Sequence, residues 1–163
     1  MYKPLISFSY LLLIVMLTGW LGACSKESTP ESRIIALIEE GELAAEDRNL
    51  GFFRDVIAQD YTDAKGLSRD EFLRMLAGYF YRNRTIHLIS RTEDVVVEDS
   101  ESARAVIIVG MAGSPVEGFD QLLTLRADLY RLELEFNMTE DIQLRYARWE
   151  RIAPEALFLA PED

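Results

Sequence analysis

The hydrophobic period of this chain changes at Asn83, and this change limits the folds that are open to it. Before Asn83 the apolar residues recur at helical spacing, which predicts a helix over residues 30–47 and a shorter second helix that begins at Asn49. A capping-box pattern at residues 68–71 predicts a third helix that ends near Arg82. Residues 30–82 are therefore expected to be mostly helical.

After Asn83 the apolar residues alternate with polar ones, as in half-buried strands. This pattern predicts four strands, at residues 85–97, 103–111, 122–137 and 142–152, while residues 60–66 are predicted to form a turn or loop. The polar middle of the first strand predicts a bend or a β-bulge. Together these elements predict an α+β fold, in which three N-terminal helices pack on one face of a curved, mostly antiparallel four-stranded sheet.

The N-terminal segment has the properties of an export signal. A single basic residue, Lys3, precedes an uncharged stretch over residues 4–23, which ends in small residues before Cys24. The four residues Leu21-Gly22-Ala23-Cys24 resemble the lipobox, the processing motif of bacterial lipoproteins. The resemblance implies that residues 1–23 are a signal peptide that is removed, and that the Cys24 thiol receives a diacylglycerol.

The same resemblance implies a membrane anchor and a cellular location. Acyl chains such as palmitate on Cys24 would hold the protein on a membrane, with residues 24–30 as the lipidated cysteine and a polar tether and residues 31–163 as a single domain. Ser25 after the cysteine resembles the pattern of lipoproteins sorted to the outer membrane, which implies a place in the cell envelope facing the periplasm. An uncleaved transmembrane helix over residues 4–23 is the alternative, and the serine, threonine and glycine residues of that stretch disfavour it.

The composition excludes several kinds of partner. The chain has 17 Lys and Arg against 28 Asp and Glu, a formal net charge of −11, so its surface repels phosphate backbones and nucleic-acid binding is not expected. The sequence has no glycine-rich phosphate loop and no cysteine–histidine cluster, so we expect no cofactor. With 1 Cys and 1 His, an intrachain disulfide is impossible and a usual zinc site is not expected.

Two short patterns, placed in this order of elements, resemble a known superfamily. Asp60-Tyr61-x-Asp63-x-x-Gly66 precedes the third predicted helix, and Tyr146-Ala147-Arg148-Trp149 lies in the last predicted strand. With two helices before and long strands after, the arrangement over residues 31–152 resembles the nuclear transport factor 2-like superfamily, to which ketosteroid isomerases and polyketide cyclases belong. The resemblance implies a cone-shaped domain with a pocket between the helices and the concave face of the sheet.

Enzymes of that superfamily place carboxylates, histidines or tyrosines in the pocket. The residues of these types to consider here are Asp60, Tyr61, Asp63, His87, Asp128 and Tyr130. If an acid–base pair exists, Asp128 with Tyr61 or Tyr130 is the weak candidate for it, because strand parity puts Asp128 and Tyr130 on one face. The simpler interpretation is structural: the two earlier aspartates form the turn, the tyrosines fill the cone, and His87 is an exposed strand residue.

The pocket-lining residues that this arrangement predicts are Phe52, Phe53, Tyr61, Phe80, Tyr130, Leu132 and Trp149. The first functional hypothesis is a non-catalytic envelope lipoprotein that binds a small apolar ligand, or an envelope protein partner, through the cone and its sheet face. The alternatives are an isomerase- or cyclase-type enzyme that uses a pocket carboxylate and a tyrosine, and a structural homodimer or larger homo-oligomer of the envelope.

Overall fold

The computed structural model describes residues 29–115, 118, 128–139 and 141–153. The predicted lipobox and leader, the start of the predicted third strand at residues 122–127, and the tail from residue 154 lie outside the described residues. The described helices are α1 (Pro30–Glu46), α2 (Leu50–Val56) and α3 (Arg69–Arg82), and the described strands are β1 (Ile57–Asp63), β2 (His87–Val97), β3 (Ser102–Ala112), β4 (Asp128–Asn137) and β5 (Gln143–Arg151).

Each of the three described helices is preceded by a residue whose side chain forms a hydrogen bond with the first turn of the helix. The Thr29 hydroxyl oxygen accepts a hydrogen bond from the Ser32 N–H at 3.2 Å, and the Asn49 side-chain oxygen accepts one from the Phe52 N–H at 3.3 Å. At α3, the Glu71 carboxylate accepts hydrogen bonds from both the N–H and the hydroxyl of Ser68. These hydrogen bonds lower the pKa of the Glu71 carboxyl group, and they confirm the helix start predicted at residues 68–71.

The sheet has five strands in the order β1-β5-β4-β3-β2, and it is mixed because β1 pairs in parallel with β5. The prediction of four strands is therefore wrong, and the loop predicted at residues 60–66 is confirmed only at residues 64–66, because residues 60–63 belong to β1. Asp60 is unfavourable in a strand by propensity, and it is exposed. Pairing with the β5 backbone and burial of alternate side chains outweigh that preference. The α+β class and the three helices are as predicted.

Strands β2 to β5 form an antiparallel meander whose register places residues in rows across the sheet. Ser90, Val109 and Tyr130 form one row, and Ala105, Leu134 and Ala147 form another. A register shift between Thr92 and Asp94 is the irregularity predicted for the long first hairpin strand, and it bends β2 around the helices.

Buried apolar side chains from α1 and the sheet fill one end of the space between the helices and the sheet. Ile34 of α1 is 0% exposed, and it belongs to one hydrophobic cluster with Ile57, Ala103 and Phe136 from three different strands. Because α1, β1 and the β3–β4 pair all meet there, this cluster closes one end of the space between the helices and the sheet. We call it the closed end.

Part of the opposite face of the sheet carries ion pairs. The Arg131 guanidinium lies 3.3 Å from Glu93 of β2 and 3.2 Å from Glu133 of its own strand, and Arg148 of β5 lies 3.6 Å from Glu133. Partly exposed pairs of this kind contribute little stability individually. Ile108 and Leu129 lie on the same face and are buried, so only part of this face is polar.

Candidate functional site

The concave face of the sheet and the three helices enclose a cavity of about 640 Å³. This volume lies within the usual range for a pocket that holds one small organic ligand. Most of the side chains in its wall are apolar, and aromatic rings come from both the helices and the sheet. Among the residues of the wall are Leu37, Ile38, Phe52, Phe53, Phe72, Met75, Leu76, Phe80, Ile107, Val109, Leu132, Leu134, Phe136 and Trp149.

The polarity of the wall changes from one end of the cavity to the other. At the closed end the wall is made of Ile57, Leu134, Phe136 and Leu144, so the described residues offer no acid, base or hydroxyl there. The polar residues Ser90, Tyr79, Tyr130 and Arg82 line the other end, where side chains are half-buried or exposed. We call this second region the outer end. Apart from Lys65, which lies beside Trp149, the polar groups that a bound molecule would meet are near the outer end.

Two tyrosines and a methionine sit together at the outer end. Met111 of β3 pairs with Asp128, two residues beyond the row that contains Tyr130, and the Tyr79 hydroxyl lies 4.0 Å from the Met111 sulfur. Burial raises the pKa of Tyr79, and the nearby Asp128 and Tyr130 raise it further. The Tyr79 hydroxyl therefore stays protonated well above neutral pH. It donates to the Met111 sulfur, a weak acceptor that a ligand oxygen can replace.

Most of the predicted pocket-lining residues do line this cavity. Phe52, Phe53, Phe80, Tyr130, Leu132 and Trp149 all contribute to the wall. Tyr61 does not. Its ring packs on Phe72 with a centroid distance of 5.3 Å, behind the wall, and it is 3% exposed. The reason is that residues 57–63 form an edge strand of the sheet rather than a loop over the pocket, so the side chain turns into the core.

The weak catalytic candidate Asp128 also lies outside the cavity wall. Its carboxylate forms an ion pair with the Arg151 guanidinium of β5, and both side chains are about half exposed or more. Strand parity places Asp128 and Tyr130 on the same face, as the sequence indicates. However, Asp128 is the first residue of β4, where the strand leaves the cavity, and its charge is already compensated.

Asp63 and Tyr61 form a buried polar pair behind the wall. Asp63 is 4% exposed, and its Oδ1 atom accepts hydrogen bonds from the N–H groups of Lys65 and Leu67 at 2.8 and 2.7 Å. Its Oδ2 atom and the Tyr61 hydroxyl have no hydrogen-bond partner among the described residues. Burial raises the pKa of Tyr61 well above its ordinary value, with Asp63 and Tyr146 as further causes. Asp63 thus forms the turn, as expected, while Asp60 is exposed on β1.

His87 and the acidic residues do not gather into a metal site. The His87 Nδ1 atom lies 3.9 Å from Glu46 at the start of β2, and the imidazole is partly buried rather than exposed as predicted. Within residues 29–115, 128–139 and 141–153, no three His, Cys, Asp or Glu side chains come close enough together to bind a metal ion. The helices in the same ranges are also too short or too polar to cross a membrane.

The sequence interpretation did not identify Glu42, Ser90 or Arg82 as part of the wall. Glu42 and Arg82 lie on the apolar faces of their helices, at helical spacing from Ile38 and Tyr79 respectively. A charged residue on an otherwise apolar helix face is therefore the signal that could have found both. Ser90 falls at an inward position of β2, and the alternation of that strand alone could have found it.

Solved structures with this fold resemble the chain at low sequence identity. A Caulobacter vibrioides protein described as having a cystatin-like fold matches with a TM-score of 0.59 and 16% identity, over 77% of this chain and 91% of that one. A nuclear transport factor 2-like protein from Cytophaga hutchinsonii matches with a TM-score of 0.56 and 8% identity, over 76% and 99%. For a ketosteroid isomerase-like protein from Erwinia carotovora atroseptica the values are 0.55 and 11%, over 74% and 95%.

Sequence comparison adds nothing to this assignment, since no protein-family model and no curated protein matches the chain. Identities of this size establish a shared fold and carry no activity across. The helices over a curved mixed sheet, the cavity between them and the three superpositions lead to one conclusion: this chain has the nuclear transport factor 2-like fold.

Proposed function

We propose that this protein is a lipid-anchored lipoprotein of the cell envelope whose nuclear transport factor 2-like domain binds a small apolar ligand in its cavity. The observation that carries the proposal is the cavity itself. The cavity has a volume of about 640 Å³, and apolar side chains form its closed end. Aromatic rings line the wall between the closed end and the outer end. A wall of this kind favours an apolar ligand, because the ligand leaves water without losing hydrogen bonds.

Binding explains the arrangement of polar groups better than isomerase- or cyclase-type catalysis does. A catalytic carboxylate needs to contact the substrate, whereas Asp128 lies outside the wall and is paired with Arg151. The buried Asp63 uses one carboxylate oxygen to hold the turn before α3. Neither aspartate is placed to take a proton from a molecule in the cavity, and Glu42, the carboxylate of the described wall, accepts a hydrogen bond from Ser90.

The anchoring part of the proposal is supported by the sequence. The order of Lys3, the apolar stretch and Leu21-Gly22-Ala23-Cys24 is that of a lipoprotein precursor. Acyl chains on Cys24 would hold the domain at a membrane surface through the tether at residues 24–30, and Ser25 favours the outer membrane, facing the periplasm. A ligand-binding domain in this position would have direct access to apolar molecules of the envelope.

The binding test uses Trp149 as the reporter, since it lines the cavity. The full chain with Trp20→Phe, which leaves Trp149 as the one remaining tryptophan, is placed in phosphatidylcholine nanodiscs and titrated with 1-bromododecane. Bromine quenches indole fluorescence on contact, so we expect saturable quenching. Val109→Phe fills the cavity and should weaken the binding, whereas Val106→Phe, on the other face of the same strand, should not. Quenching that does not saturate, or that is equal in all three proteins, would contradict the binding proposal.

The anchoring test replaces the predicted lipidation residue. In cells fed radioactive palmitate, the parent protein should be labelled and should fractionate with membranes. Cys24→Ser should remove the label and leave an unprocessed precursor. Palmitate label that persists in the variant would refute lipidation at Cys24.

A further inference from the structure

Three charged side chains contribute to the cavity wall, and they differ in how they are used. The Glu42 carboxylate accepts a hydrogen bond of 2.5 Å from the Ser90 hydroxyl, which joins α1 to β2. The Lys65 ammonium lies 5.1 Å from the centre of the Trp149 ring. The Arg82 side chain has no hydrogen bond or ion pair to any other residue in the described part of the chain. Of the two cations of the wall, Lys65 lies over the Trp149 ring and Arg82 has no such contact, so the Arg82 guanidinium is the one we assign to a ligand.

Arg82 lies at the outer end of the cavity, in the last turn of α3. Tyr79 precedes it by one helical turn on the same face and also lines the wall, so the two side chains approach the cavity side by side. The start of α3 is held at the other end, where the Arg69 side chain donates hydrogen bonds to the carbonyl groups of Ile57 and Arg54. The direction of α3 therefore fixes Arg82 far from the closed end.

Among the described residues, the acidic groups near the outer end have other hydrogen-bond or ion-pair partners. Asp128 is paired with Arg151, Glu42 is bonded to Ser90, and Glu46 accepts a hydrogen bond from the Leu88 N–H at 2.8 Å. None of these carboxylates forms an ion pair with Arg82. This is notable in a chain with a net charge of −11, in which cations are outnumbered.

We propose that the ligand is an amphiphile with one alkyl chain and an anionic head group, bound with its chain toward the closed end and its head at Arg82. This rests on the proposed function, since it names the class of ligand for the same cavity. A guanidinium group binds carboxylates and phosphates through paired, charge-assisted hydrogen bonds. The Tyr79 hydroxyl beside it supplies a further donor, and the apolar closed end accepts the alkyl chain. A volume of about 640 Å³ suits one chain rather than a two-chain phospholipid.

The test compares head groups on one chain length, again by quenching of Trp149 in the full chain with Trp20→Phe in phosphatidylcholine nanodiscs. The probes are 12-bromododecanoate and 12-bromododecyl phosphate as anions, 12-bromododecylamine as the cation and 1-bromododecane as the neutral reference. Carboxylates and alkyl phosphate monoesters share the proposed chemistry, and the two anionic probes tell which of them binds more tightly. The matched variants are Arg82→Gln and Arg84→Gln, where Arg84 is a nearby exposed arginine outside the wall.

We expect at least one anionic probe to bind about tenfold or more tightly than the amine, since a hydrogen bond to a charged group contributes that much. Arg82→Gln should remove most of this difference and leave the affinity for 1-bromododecane unchanged, and Arg84→Gln should preserve it. Equal affinities for anion and amine, or an anion preference that survives Arg82→Gln, would overturn the ligand class while 1-bromododecane binding upholds the proposed function. Failure of every probe, 1-bromododecane included, would overturn both.

Discussion

Arg151 lies opposite Tyr130 in the β4–β5 ladder, and its guanidinium reaches along the sheet to form an ion pair with the Asp128 carboxylate. The pair lies at the rim of the outer end, where Tyr130 still lines the cavity and Asp128 no longer does. The ion pair with Arg151 therefore holds the Asp128 carboxylate outside the wall of the cavity.

The first prediction follows from this pair. Asp128→Asn should leave the affinity for 1-bromododecane unchanged, because the carboxylate does not contact the ligand space. It should lower the free energy of unfolding by less than about 1 kcal/mol, as is usual for an exposed ion pair. Quenching titrations and urea unfolding measure the two effects, with Arg151→Gln as the matched variant. A loss of binding in Asp128→Asn alone would assign the carboxylate to the ligand.

The second prediction concerns the buried Tyr61 hydroxyl, which has no hydrogen-bond partner among the described residues. Tyr61→Phe should raise the free energy of unfolding at neutral pH by about 1 kcal/mol, because the cost of burying an unpaired hydroxyl is removed. Tyr81→Phe, at a position that is 90% exposed, should leave it unchanged. If Tyr61→Phe is clearly destabilising, the hydroxyl has a partner that it stabilises.

The same residue predicts the direction of the pH dependence. Folding raises the pKa of Tyr61, so the unfolded chain releases this proton at lower pH than the folded protein. The contribution of Tyr61 to stability is therefore fully present below about pH 10, the ordinary tyrosine pKa, and is lost as the pH rises above it. Thermal melting between pH 8 and pH 11 should show a smaller alkaline decline in Tyr61→Phe than in the parent. Parallel declines in the two proteins would contradict the shift.

A further prediction concerns Asp63, whose Oδ1 atom accepts hydrogen bonds from two N–H groups of the turn before α3. Asp63→Ala leaves both donors without that acceptor and should lower the free energy of unfolding by about 2 kcal/mol or more. Asp63→Asn keeps an acceptor oxygen and should cost less. The exposed Asp60 of the same strand provides the control Asp60→Ala, and equal losses at the two positions in urea unfolding would show that the turn does not depend on Asp63.

The last prediction concerns Gly66 in that turn, which has a positive φ of 80°. Gly66→Ala should lower the free energy of unfolding by about 1 kcal/mol, since a Cβ atom is unfavourable in the left-handed conformation even where space is free. Gly113→Ala is the matched control: its added Cβ also meets no atom within 4 Å, and its φ is not in that region. A neutral Gly66→Ala in thermal melting would mean that the turn adopts another conformation in solution.

The sequence predicted most of the local structure because the signals were local. The capping pattern at Ser68 located the start of α3, and the alternation along β4 placed Tyr130 and Leu132 on the inward face. These features depend on neighbours a few residues apart, where the periods of helix and strand can be read directly.

What the sequence did not predict depends on contacts between distant residues. Strand β1 contains polar residues typical of a turn, and its strand conformation comes from pairing with β5 much later in the chain. The ion pair of Asp128 with Arg151 likewise needs the register of the β4–β5 ladder. Tyr61 was expected in the pocket because part of β1 was predicted to be a loop. Failure to predict β1 therefore also explains the wrong placement of Tyr61.

The parallel pairing of β1 with β5 has a consequence for the order in which the protein can assemble. Ile57 pairs with Leu144, so the first strand to be synthesised finds its neighbour only when the last one is available. A nascent chain therefore carries β1 without its β5 partner until almost all of the described domain has been synthesised. Interruption of synthesis before β5 should leave a chain that cannot close its cone, and such a fragment would be a substrate for chaperones and proteases rather than a partly working protein.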